Sequence, residues 1–155
     1  MEYSFDFADR LHQAAELLGS AADGQPETAR TVLYLEFVAI EVAMKALLER
    51  SGMPINKIKK LSHSTIQLLE CIDKLQENGS PIPPHKRLSG VGVDATYING
   101  SVGPLLAETK RNGSAYPNEI RYGQQVCGLE PKLMQKIANT IIAWCRRKSG
   151  VLKYV

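Results

Sequence analysis

Apolar residues along this chain recur at helical spacing, and four such runs organise it. Over 5–18, Phe7, Leu11, Ala14, Ala15 and Leu18 return at steps of three and four, which predicts an amphipathic helix with those residues on its buried stripe. Ser4 stands where an N-cap oxygen accepts an amide of the first turn, and Asp6 and Asp9 suit the positive end of the helix dipole. Gly19 and Gly24 bracket the exit. A second run over 26–50 starts on Pro26, whose missing N–H costs nothing in a first turn, and stops at Gly52 and Pro54. Its apolar positions cover two faces: Val32, Leu35, Ala39, Val42, Ala43 and Ala46 on one, Leu33, Phe37, Ile40, Met44 and Leu47 on the other. A helix apolar nearly all round is expected at the centre, against several neighbours or a second subunit.

A third helix is expected over 63–75, with Ile66, Leu69, Ile72 and Leu75 inward; Ser64 and Gln67 match a capping box at its start, and Asn78-Gly79 closes it. The fourth is expected over 131–149, with Leu133, Ile137, Ile141, Trp144 and Cys145 buried, Gly150 as the stop, and Arg146, Arg147 and Lys148 near the negative end of the dipole. The segment 78–129 differs: it holds eight of the twelve glycines and five of the eight prolines, so most of it reads as irregular. Within it, Pro81-Ile82-Pro83-Pro84 must be extended or turn-like, a short helix is expected over 104–110, and a short turn near Leu88. A connection this long is expected to pack on the bundle or to serve function. The tail 151–155 is too short to assign. The expectation is a single all-α domain over 1–155 with a Gly/Pro-rich connection before its last helix.

Composition changes this picture little. With 44% hydrophobic and 23% charged residues the chain has no signature of disorder, and 155 residues suffice for a core without disulfides or metal. Cys71, Cys127 and Cys145 are odd in number and form no C-x-x-C pair, which argues against a disulfide framework or zinc site and for reduced thiols in a cytoplasmic setting. The first residues lack the basic and apolar regions of a signal peptide. The apolar stretch 32–48 is interrupted by Glu36, Glu41 and Lys45, so it reads as a core helix and not a membrane span. Charge is uneven. Residues 1–80 carry 8 Lys/Arg against 12 Asp/Glu, a balance of −4, and residues 81–155 carry 11 against 4, a balance of +7. That asymmetry fits either an anionic partner such as nucleic acid or attraction between the two halves.

Candidate chemistry centres on five residues. Glu41 and Lys45 stand four apart in the order that favours an ion pair, amid apolar neighbours where unpaired charge is costly. They read as a helix-surface salt bridge or as a polar notch in a pocket or dimer seam, while Glu36 lies on another face and is expected to meet a different partner. His63 opens the third helix after Lys57, Lys59 and Lys60, as a local cap or as a site residue. Arg121 and Tyr122 precede the last helix; the pair suits phosphate and base, or Arg121 anchors the loop on a helix-two glutamate. His12 and His85 are too far off in sequence to support a metal site, and no cofactor is expected. There is no phosphate loop, dinucleotide fingerprint, nucleophile elbow or zinc-protease helix.

Three pieces in order resemble the HEPN family (higher eukaryotes and prokaryotes nucleotide-binding domain). They are Ala39-Ile40-Glu41-Val42-Ala43-Met44-Lys45-Ala46-Leu47-Leu48, His63-Ser64-Thr65-Ile66-Gln67-Leu68-Leu69, and Arg121-Tyr122-Gly123. Ser64 and Thr65 replace the usual Asp and Leu, and Gly123 replaces a proline. The resemblance implies an up-and-down bundle of four or five helices, often a homodimer. Many family members are ribonucleases in toxin–antitoxin or phage-defence systems, with an Arg followed after four to six residues by a His. Here that pattern fails: no histidine follows His85, Arg10 is too close to His12, and Arg50 is too far from His63. The resemblance therefore implies a non-catalytic module that binds nucleotide, RNA or a partner, with Glu41, Lys45, His63, Arg121 and Tyr122 at the site; some such members work beside a nucleotidyltransferase. The alternative is a divergent, metal-independent endoribonuclease that uses Glu41, His63, Arg121 and Tyr122.

Overall fold

The computed structural model describes residues 1–21, 24–94, 99–112 and 130–155. Six α-helices lie among them: α1 (Phe5–Ser20), α2 (Pro26–Arg50), α3 (Ile55–Lys60), α4 (Thr65–Asp73), α5 (Val102–Asn112) and α6 (Pro131–Lys148). The chain is mostly helical, as expected, but not purely so. Short antiparallel strands β1 (Gln76–Glu77), β2 (Ser80–Pro81) and β5 (Leu152–Lys153) pair in the order β2-β1-β5, while β3 (Gly92–Val93) pairs with β4 (Gly100–Ser101).

Local signals set most helix ends. The Ser4 hydroxyl accepts from the Phe7 amide at 3.4 Å, and α2 begins on Pro26. Ser64 caps α4 by accepting from the Gln67 amide, also at 3.4 Å. That helix is shorter than its expected 63–75 span, with Leu75 buried just beyond it. Pro54, which was expected only to stop α2, holds the N-cap position of the short α3.

α2 is central. Ala39, Ile40, Ala43, Met44 and Leu47 are fully buried, and one apolar cluster extends from Phe5 to Leu152 around them. α1 runs antiparallel to α2, because Tyr3 meets Glu49 while His12 meets Glu36. α6 runs antiparallel to α1: Arg146 bridges to Asp6 and Asp9 at one end, and the Gln135 amide donates to the Ala15 carbonyl at 3.2 Å at the other. The α6 face is as expected at Ile137, Ile141, Trp144 and Cys145, with Leu133 half-buried.

The expected α1 stripe holds at the buried Ala15 and at Leu11, which is half-buried against the core, and is corrected at Phe7 and Leu18. Phe5, Ala8, His12 and Ala15 face the core, whereas Phe7 is 55% and Leu18 37% exposed. Two distant attachments account for this rotation. Phe5 lies between the Arg50 and Arg146 guanidiniums, 4.9 and 5.5 Å from its ring centroid, and His12 turns inward to a buried glutamate.

The tail 151–155 is also no free end. Leu152 is buried, β5 extends the β1–β2 hairpin, the Tyr154 amide donates to the Ser51 carbonyl at 2.9 Å, and Lys148 bridges Glu77 at 2.7 Å. No helix among the described residues is long and apolar enough to cross a membrane.

Candidate functional site

Glu41 and Lys45 project from one side of α2, where residues four apart are neighbours. The Lys45 ammonium donates to Glu41 Oε1 at 2.7 Å, and both side chains are over nine-tenths buried. The pair is therefore an interior one and not a surface salt bridge. The same carboxylate also meets an imidazole. His63 Nδ1 lies 3.0 and 3.1 Å from the two Glu41 oxygens, and the His63 side chain is 43% exposed.

The turn between α3 and α4 delivers that histidine. Ser62 adopts φ 51°, a left-handed conformation uncommon for residues with a Cβ, and Ser64 then starts α4. His63 sits between them, aimed at α2. With Nδ1 held by the carboxylate, Nε2 has no partner among the described residues. A buried carboxylate that orients a half-exposed imidazole can hold a proton at that ring or present a positive donor to an anion.

A third wall comes from the segment before α1, which carries no sequence signal for a site. The Lys45 ammonium lies over the Tyr3 ring, 5.4 Å from its centroid. Tyr3 is held there by Glu49, whose carboxylate accepts the Glu2 amide at 2.8 and 3.0 Å and the Tyr3 amide at 3.0 Å. Burial opposes ionisation of Glu49, but the amide donors outweigh it and hold the carboxyl below its ordinary range. Burial, then the nearby Glu2 carboxylate, pushes the Tyr3 phenol up. Lys59 reaches Glu2 at 3.0 Å, and Lys60 is exposed on the same short helix.

Thus three of the five anticipated residues, Glu41, Lys45 and His63, come together. Arg121 and Tyr122 lie outside the described residues, as does Cys127. Glu36 does meet a different partner: both its oxygens lie 2.9–3.0 Å from His12 Nδ1 in the α1–α2 seam, with Glu36 fully buried. His12 could have been read from its place in the row Phe5, Ala8, His12, Ala15, which repeats at helical steps. Tyr3 carried no such signal.

Among the described residues, no group of three or more His, Cys, Asp or Glu is placed to hold a metal ion. Cys71 and Cys145 are free thiols, Cys145 fully buried with its pKa pushed far up by desolvation. No protein-family model, curated protein or solved structure matches the chain.

Proposed function

We propose that this chain is a HEPN-like, non-catalytic binding module that takes the phosphate of a nucleotide or RNA at the notch formed by Glu41, Lys45 and His63. The observation that carries the reading is that a buried acid–base pair is joined by an outward-facing imidazole. Three ionisable groups on two elements converge at a place where burial makes unpaired charge expensive. The half-exposed His63 ring leaves Nε2 for a ligand, and Lys60, exposed three residues before it, adds positive charge to the same stretch of chain. The ordered resemblance of segments 39–48 and 63–69 to the HEPN family supports the same reading. We further assign a homodimer to the module, formed through the outer face of α2. Leu35 and Val38 are half-buried there and lie outside the apolar core.

The test is binding of a single-stranded RNA oligonucleotide and of a nucleoside triphosphate at low salt. The expected outcome is affinity that falls steeply with added salt and falls several-fold in His63→Ala, with the fold retained by circular dichroism. Absence of binding at low salt for both probes overturns the reading.

The His63–Glu41 geometry also favours the second reading, a divergent ribonuclease, because a carboxylate-oriented histidine is a usual general acid–base. Incubation of the wild type and of His63→Ala with the same RNA separates the two. Cleavage by the wild type alone selects the enzyme, and intact RNA in both selects the binding module.

A further inference from the structure

The notch as folded is closed to an anion on its Lys45 side. Lys45 is among the most buried charges of the molecule, its side chain 6% exposed; Glu41 satisfies its charge and the Tyr3 ring lies against it. Nothing in helix geometry requires the second contact. Residues 1–4 precede α1, and Ser4 already supplies its N-cap, so the chain before it could leave in any direction. Instead it is tied across the C-terminal half of α2 at two polar points, and the half-buried Tyr3 side chain packs against the edge of the apolar core. The Glu49 carboxylate takes two successive backbone amides, those of Glu2 and Tyr3, and Lys59 of α3 clasps the Glu2 side chain. Both ties are at the surface: Glu2 and Lys59 are exposed and Glu49 is half-buried. Surface ion pairs and amide–carboxylate bonds of this kind break locally without unfolding a core.

We propose that residues 1–4 are a strap over the site, latched by Glu49 and Lys59, and that a phosphate group reaches Lys45 only when Tyr3 lifts away. The ligand class rests on the function proposed above; the strap itself does not. Closed, the strap leaves His63 as the only outward donor of the trio. Open, it adds the Lys45 ammonium beside it and frees an aromatic face for a base. Ligand binding then selects the open strap, and any change that weakens the latch raises apparent affinity by enlarging the open population.

The strap is tested without any ligand by acylation of lysine ε-amines with N-hydroxysuccinimidyl acetate, read by peptide mass spectrometry. In the wild type Lys45 reacts far more slowly than exposed Lys60. In Glu49→Ala and in Tyr3→Ala the Lys45 rate rises at least tenfold while Lys60 is unchanged. Amide hydrogen exchange at Leu47 stays at its wild-type rate, which marks the opening as local. Glu49→Gln, which keeps an acceptor but loses the charge, falls between. Lys45 rates equal to wild type in all three folded variants overturn the strap. A rise in Lys45 labelling accompanied by a rise in Leu47 exchange overturns it too, since the exposure is then that of a loosened core. Glu49→Ala and Glu49→Gln, which keep the Tyr3 ring, bind the RNA oligonucleotide several-fold tighter than the wild type. If labelling rises as expected but no variant binds RNA, the strap stands and the phosphate-binding function falls.

Discussion

At the scale of single residues, two buried carboxylates on α2 define the polar interior: Glu41 with Lys45 and His63, and Glu36 with His12. The second pair makes a pH prediction. The hydrogen bond that His12 Nδ1–H donates to the Glu36 carboxylate raises the His12 pKa, with burial opposing it, so the folded chain holds that proton more tightly than the unfolded chain. This stabilisation is complete below the ordinary histidine value of about 6.5 and is lost as pH rises through the higher folded-state value. Burial also raises Glu36, with His12 opposing, which acts in the same direction. Urea midpoints of the wild type are therefore expected to fall as pH climbs above 6.5, and those of Glu36→Gln to change less. A wild-type midpoint that is flat or rises contradicts the assignment. Removing only the histidine, in His12→Ala, strands the Glu36 carboxylate in the core and is expected to cost about 3–5 kcal/mol.

At the scale of elements, the Asn78-Gly79 pair shows how a correct local reading can miss its consequence. Both residues have positive φ, 53° and 75°, the geometry of a two-residue hairpin turn with the twist strands prefer. The sequence identified the turn but only as a helix end, because Gln76-Glu77 and Ser80-Pro81 have no alternating apolar pattern to announce strands. The strands exist because β5 arrives from the far end of the chain to pair with β1. Gly79→Ala is expected to destabilise the chain by about 1 kcal/mol, measured by urea unfolding. A Cβ there meets nothing within 4 Å, so the cost is that of the left-handed backbone alone. Helix ends marked by Ser4, Pro26, Ser64 and Gly150 were legible because their signals sit within a turn of the boundary.

At the scale of the whole molecule, α2 organises both the core and the proposed assembly. Its buried faces meet α1, α4 and α6, and the half-buried Leu35 and Val38 lie outside the apolar core among the described residues, on the side proposed for the dimer. Light scattering is expected to give twice the chain mass for the wild type and a single-chain mass for Val38→Lys, with helical content unchanged. A monomeric wild type at high concentration rejects the dimer. The central place of α2 was readable in the sequence, since a helix apolar on nearly all sides has no other stable location.

What the sequence alone determined, then, is the helical character, most helix ends and the identity of the central helix, all of which depend on residues within a turn or two of one another. Tertiary structure decided the rotation of α1, the His12–Glu36 pair, the seating of His63 on Glu41 and the closing of the notch by Tyr3. These join residues 24, 22 and, for Tyr3 and its Glu49 latch, 46 positions apart. Periodicity does not encode such pairings. They follow from the cost of leaving a charge unpaired once the apolar faces have closed around it.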